Sequence, residues 1–169
     1  MGGGEERIKN REVAALLAGL EAGVLATLAL LGWLALAAAG NRRSIWSAAN
    51  LMATTFYGDS AFNRNFSART LSGLALYLTM YGVIGALFGL TLAGRPAGLR
   101  TTLIGTAVGL GWYYLSFSIL WRNVNPLIPL YTHPAPDVFG HALFGALLGR
   151  FPHYLAQTPS EGHDRPQIA

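Results

Sequence analysis

The sequence predicts an all-α integral membrane protein with four transmembrane helices, arranged as two similar helical hairpins, and an interfacial amphipathic helix in the first loop. Hydrophobic residues make up 52% of the 169 residues and charged residues only 12%, whereas a soluble domain has about 25% charged residues. Long segments with almost no charge recur along the chain. Each of these segments contains a Gly-x-x-x-Gly pair, which lets two helices in lipid approach closely.

We place the spans at residues 13–39, 71–93, 101–121 and 138–155, since about 20 apolar residues cross the bilayer hydrocarbon. Glu21 is the sole ionisable residue of the first span, and the second and third spans contain no charged residue. The fourth requires Arg150 to reach the membrane surface with its charged end. Polar tails at 1–12 and 156–169 flank this membrane domain. The alternative of a cleavable signal ending near Ala37–Ala39 is disfavoured by the length of the apolar stretch.

Two loops on one side of the predicted bundle are unusual. Within residues 44–57, apolar side chains recur at helical spacing, which predicts a helix lying in the membrane interface. A polar turn follows at 58–67. Residues 125–136 contain four prolines among apolar residues, so we expect this segment to be non-helical and to pack on the helix ends.

The hairpins resemble each other, because residues 81–89 align with residues 141–149. This similarity indicates either a repeated hairpin or two glycine-rich segments of similar composition. The glycine pairs lie early in the first and third spans and late in the second and fourth, so all of them fall in one half of the membrane. We expect the helices to be closest there. The pairs are Gly19 and Gly23, Gly85 and Gly89, Gly105 and Gly109, and Gly145 and Gly149.

The other half of the predicted bundle is rich in aromatic residues. Its candidate cofactor-binding residues are Tyr81, Trp112, Tyr113 and His141. They could line a pocket for a lipid tail, a quinone or a pigment, or they could be packing and interface residues. A single histidine could ligate a haem or a chlorophyll, or it could be a hydrogen-bonded structural residue. We predict no cofactor.

Glu21 is the acidic residue inside a span, and a carboxylate in hydrocarbon is costly unless it is neutral or paired. It is either a functional site or a protonated side chain that is hydrogen-bonded to Thr27 or Thr106 or faces a partner subunit. We favour the structural interpretation.

Metal binding and catalysis are not predicted. His133, Asp137 and His141 are four residues apart, which on one helix would place three metal ligands together. Pro134 and Pro136 are expected to break that helix, and Asp137 is expected to be the N-cap of the fourth span. The sequence has no cysteine, and no motif of a hydrolase or phosphate-binding enzyme is present.

The opening Ala-Gly-x-x-Ala-Gly motif at 18–23 and the closing His-x-x-Phe-Gly-x-x-x-Gly motif at 141–149 resemble those of small four-helix bacterial inner-membrane proteins without an assigned role. This resemblance implies a fold and a compartment. Because the glycine faces outnumber what four helices need among themselves, we expect a non-catalytic accessory or assembly subunit of a larger membrane complex, which contacts lipid and other subunits or a second copy, but not nucleic acid. A carrier of an apolar ligand and a tetrapyrrole-holding subunit are the alternatives. Seven of the 12 basic residues lie on the side of the termini, which predicts that both termini are cytoplasmic.

Overall fold

The computed structural model describes residues 2–157, and these residues form helices without any strand. The helices are α1 (Gly2–Gly40), α2 (Ser47–Tyr57), α3 (Ala68–Thr91), α4 (Leu99–Leu115), α5 (Trp121–Val124), α6 (Leu127–Tyr131), α7 (Pro134–Leu148) and α8 (Phe151–Gln157). A 3₁₀ turn, Gly58–Ala61, follows α2, and a π-helical segment, Ser116–Leu120, joins α4 to α5. From residue 158 onward, the predicted polar C-terminal tail lies outside the described residues.

Among residues 2–157, three helical segments are long and apolar enough to cross a bilayer, as expected of a membrane protein. They are Ile8–Gly40, Ala68–Thr91 and Leu99–Val124. The helix predicted over 138–155 is not continuous. α7 has 15 residues, or about 22 Å of helix, and Gly149 and Arg150 separate it from α8.

α1 lies in the middle of the packed helices. It contacts α3 on one side and α7 and α8 on the other, while α4 packs mainly against α7. Between residues 15 and 26, the buried face of α1 is made of small residues at a spacing of three or four, namely Ala15, Ala18, Ala22 and Ala26, together with Gly19 and Gly23. Because these side chains are short, the neighbouring backbones come close to α1.

α1 begins at Gly2, so this helix includes polar residues of the predicted N-terminal tail. One expectation about local structure is wrong. The proline-rich segment is largely helical, since it contains α6 and the start of α7. Pro134 opens α7 at a position where a helix needs no backbone N–H, so proline starts this helix rather than breaking it.

Candidate functional site

The glycine pairs of α1 and α3 face each other directly. A Cβ placed on Gly23 would lie 2.9 Å from the Cα of Gly85, and one placed on Gly19 would lie 2.9 Å from the Cα of Gly89. Real carbon atoms in contact lie about 3.5–4.0 Å apart. The two helices run antiparallel, because higher numbers on α1 meet lower numbers on α3. Any side chain at these glycines would force the backbones apart.

α4 and α7 meet in the same way. A Cβ on Gly109 would lie 3.0 Å from the Cα of Gly145, and one on Gly105 would lie 3.0 Å from the backbone nitrogen of Gly149. The carbonyl of His141 approaches Gly109 just as the carbonyl of Tyr81 approaches Gly23. The two helix pairs thus use equivalent positions of the aligned segments 81–89 and 141–149.

The aromatic residues next to these glycines form a packed cluster around His141. The Tyr81 ring lies 4.9 Å from the Phe144 ring and 6.5 Å from the Trp112 ring, measured between centroids. The Tyr113 ring lies 5.2 Å from the His141 ring. His141 is 2% exposed. Side chains therefore occupy the place where the sequence suggests a ligand pocket.

Both nitrogens of His141 are engaged in hydrogen bonds. Nδ1 lies 2.7 Å from the carbonyl oxygen of Asp137, one turn earlier on α7. Nε2 lies 2.6 Å from the hydroxyl of Tyr81 on α3. A neutral imidazole that donates from Nδ1 and accepts the tyrosine O–H at Nε2 satisfies both contacts. Ligation of a haem or chlorophyll through Nε2 would require this bond between α3 and α7 to break.

Trp112 is the unsatisfied member of this cluster. Its buried indole N–H approaches the Tyr81 hydroxyl, but it does not reach hydrogen-bond geometry with any of the described residues. An unpaired buried donor costs about 1–3 kcal/mol. The Tyr81 hydroxyl donates to His141 and keeps oxygen lone pairs, so Tyr81 is the acceptor nearest to the Trp112 N–H.

Asp137 and His133 do not form a metal site with His141. Among residues 2–157, no group of three or more histidine, cysteine and acidic side chains is placed to hold a metal ion. His133 Nδ1 lies 3.3 Å from a guanidinium nitrogen of Arg43. Asp137 is in the first turn of α7, not at its N-cap, which is His133.

Glu21 is exposed on the outside of the packed helices. The two threonines expected to bind it are engaged elsewhere: Thr27 donates to the carbonyl of Gly23 at 2.6 Å, and Thr106 donates to the carbonyl of Thr102 at 3.0 Å. Among the described residues, neither threonine is hydrogen-bonded to Glu21.

The sequence did not predict a role for Asn50, but its hydrogen bonds hold the first loop in place. Its amide nitrogen donates to the carbonyls of Asn63 at 2.6 Å and Asn65 at 3.3 Å, and its oxygen accepts from the Thr70 hydroxyl at 2.6 Å. Asn50 is 3% exposed. An asparagine within an otherwise apolar helix is the signal that could have identified it.

Gly73 is a further close contact that lies outside the Gly-x-x-x-Gly pairs. A Cβ on Gly73 would lie 3.0 Å from the backbone nitrogen of Ala53, and the carbonyl of Ala49 is closer still. α2 therefore packs tightly on α3. The signal in the sequence is the small pair Ala49 and Ala53, four residues apart, in place of two glycines.

Comparisons with protein-family models, curated proteins and solved structures find no match to this chain. Function is therefore inferred from the contacts, burial and charge of its own described residues.

Proposed function

We propose that this chain is a non-catalytic protein of a bacterial inner membrane and that it serves as an accessory or assembly subunit of a larger complex. We further propose four spans, the fourth formed by α7 and α8 together. The course of α7 beside α4 supports this, since His141 lies at Gly109 and Gly149 lies at Thr102, near the start of α4. Phe151 of α8 is fully buried, with its ring 5.6 Å from that of Phe88.

The same contacts support an arrangement as two similar hairpins, α1 with α3 and α4 with α7. The closest approaches fall at equivalent positions, Gly23 against Gly85 and Gly109 against Gly145. Four spans place both termini on the side of the loop at Pro96. The distribution of basic residues favours the cytoplasm for that side.

This topology is tested by fusing a reporter that is active on one side of the membrane to residue 169 and, separately, to the loop at Pro96. If α7 and α8 cross the membrane, both fusions report the cytoplasm. If they do not cross, the two fusions report opposite sides, because α4 alone separates the two positions. A periplasmic signal from both fusions would reverse the orientation and keep the four spans.

The subunit proposal rests on the outer face of α4. Only 17% of the most apolar window of Leu99–Val124 is buried, against 33% for α1 and 39% for α3. Lipid can cover such a face. Ala107 and Gly111, however, lie four residues apart on it, both exposed, and nothing lies within 4 Å of a Cβ on Gly111. No described helix of this chain packs against this pair of small residues, so a helix of another subunit can approach α4 closely there.

A matched pair of variants tests this proposal. Gly111→Ile adds bulk to the outer face of α4, and Gly32→Ile adds the same bulk to an exposed glycine of α1 that also has nothing within 4 Å. After purification from the native membrane in mild detergent, Gly111→Ile is expected to lose a polypeptide, or a second tagged copy, that Gly32→Ile and the unmodified protein retain. Identical co-purifying components in all three preparations would refute docking at α4.

A further inference from the structure

A large open cavity lies at the end of the bundle opposite the Pro96 loop. Its volume is about 740 Å³. It is bounded by the connection from α1 to α2, by the segment 62–66 before α3, and by Tyr131 at the end of α6. Because these segments follow or precede apolar helices, the cavity lies at the level where a membrane surface meets water.

The charged side chains that line this cavity are all positive. Arg42, Arg43 and Arg64 line it, and no carboxylate does. Among the described residues, the guanidinium groups of Arg42 and Arg64 form no ion pair or hydrogen bond. Arg43 lies near His133 and Asp137 on the neighbouring side. Two of the three arginine side chains are thus unpaired among the described residues, and both line the cavity.

Arg42 occupies a backbone position that usually belongs to glycine. Its φ is 54°, in the left-handed region, at the end of α1. The backbone N–H of Arg43 donates to the carbonyl of Ala38 at 2.9 Å, which is the bonding pattern of a helix end closed by a left-handed residue. Glycine adopts this conformation without the steric cost that arginine incurs. A positively charged side chain is therefore present at a position where the backbone conformation favours glycine.

The cavity wall that carries Arg64 is fixed in place by hydrogen bonds. The Ser44 hydroxyl donates to the carbonyl of Arg64. The buried Asn50 amide holds the carbonyls on both sides, those of Asn63 and Asn65. The backbone N–H of Asn65 donates to the Asn63 side chain at 3.1 Å. The segment is preorganised, so a ligand would not have to order it.

Aromatic rings form the rest of the lining. The rings of Trp46 and Phe66 meet edge to face at 5.0 Å between centroids, and those of Phe62 and Tyr131 at 4.9 Å. Arginine groups bind phosphate oxygens through paired N–H donors, and aromatic rings beside them offer an apolar surface. This combination matches a molecule that carries both a phosphate group and an apolar portion.

We propose that this arginine cavity binds a phosphate-bearing amphiphile at the membrane surface, with the phosphate on Arg42 and Arg64 and the apolar portion on Trp46 and Phe66. The phosphate can belong to an anionic lipid headgroup or to a soluble phosphate compound. This binding site is independent of subunit docking at α4, which lies on a different face.

Calorimetric titration of the full chain in non-ionic detergent tests the site, with short-chain phosphatidylglycerol, short-chain phosphatidylcholine and inorganic phosphate as separate probes. We expect phosphatidylglycerol to bind more tightly than phosphatidylcholine. Arg42→Gly and Arg64→Gln should each weaken that binding about tenfold or more, since each removes charged hydrogen bonds. Arg122→Gln, which removes an exposed charge outside the cavity, should leave the binding unchanged.

Arg42→Gly separates binding from folding, because glycine suits the left-handed backbone and the variant should melt at the same temperature or higher. Binding of phosphatidylglycerol that inorganic phosphate does not displace identifies a lipid as the source of the phosphate. Displacement at similar concentrations identifies a soluble phosphate compound and also supports the site. The proposal would be overturned if neither phosphatidylglycerol nor inorganic phosphate binds. It would also be overturned if the Arg42→Gly and Arg122→Gln proteins bind phosphatidylglycerol equally well.

Discussion

Replacing Gly85 with alanine adds one methyl group at the closest approach of α1 and α3. The new Cβ would lie 2.6 Å from the Cα of Gly23 and 3.0 Å from its backbone nitrogen, and the carbonyl of Gly19 is closer still. These neighbours are backbone atoms, which cannot rotate away as a flexible side chain can. The helices themselves therefore have to move.

The size of that movement sets the expected loss of stability. Carbon atoms in contact prefer about 3.5–4.0 Å, so α1 and α3 have to separate by about 1 Å, which forfeits a quarter to a half of their dispersion attraction. Added bulk at a packed contact usually costs about 1–3 kcal/mol. The higher helix propensity of alanine offsets up to about 1 kcal/mol of this cost. We expect Gly85→Ala to lower the free energy of unfolding by about 1–2 kcal/mol.

The assay is unfolding of the purified protein in mixed detergent micelles by increasing amounts of sodium dodecyl sulfate, followed by circular dichroism. Gly32→Ala is the control, because nothing lies within 4 Å of a Cβ at this exposed glycine of α1. It should leave stability unchanged or raise it by up to about 1 kcal/mol. Equal unfolding free energies for the Gly85→Ala and Gly32→Ala proteins would refute the assignment of Gly85 to a tight contact.

Two further predictions use the same unfolding measurement. Tyr81→Phe should cost about 1 kcal/mol, because His141 Nε2 loses its partner, whereas Tyr114→Phe at a 72% exposed side chain should cost nothing. Asn50→Leu should cost about 2 kcal/mol and speed amide hydrogen exchange in residues 62–66; unchanged exchange would contradict its role.

The all-helical fold and three of the spans are predictable from the sequence, because hydropathy and charge report directly on the solvent that surrounds a segment. The glycine spacing indicates which helix faces can approach closely. It does not indicate which helix lies opposite. That Gly85 meets Gly23 and not Gly109 depends on how α1 sits between α3 and α7, which is a property of the whole assembly of helices.

Polar residues are harder to place from the sequence. Whether Glu21 faces lipid, a helix or a partner depends on the rotation of α1, which its weakly asymmetric apolar pattern does not define. The importance of Asn50 depends on carbonyls of residues 63 and 65, which approach it only in the folded loop. The break after Leu148 follows from Gly149 and Arg150 together, since the charged side chain is exposed at the point where the helix ends.

The hydrogen bond between Tyr81 and His141 follows from the glycine contacts beneath it. Each residue precedes a contact glycine, Gly85 or Gly145, by four positions and therefore lies one helical turn away on the same face. When α3 packs on α1 and α7 packs on both α1 and α4, these two side chains point into the same space between the helices. Each supplies the polar partner that the other needs in an apolar environment. A histidine held in this way joins two helices and leaves no lone pair for a ligand, so binding functions are better sought at the outer face of α4 and in the arginine cavity.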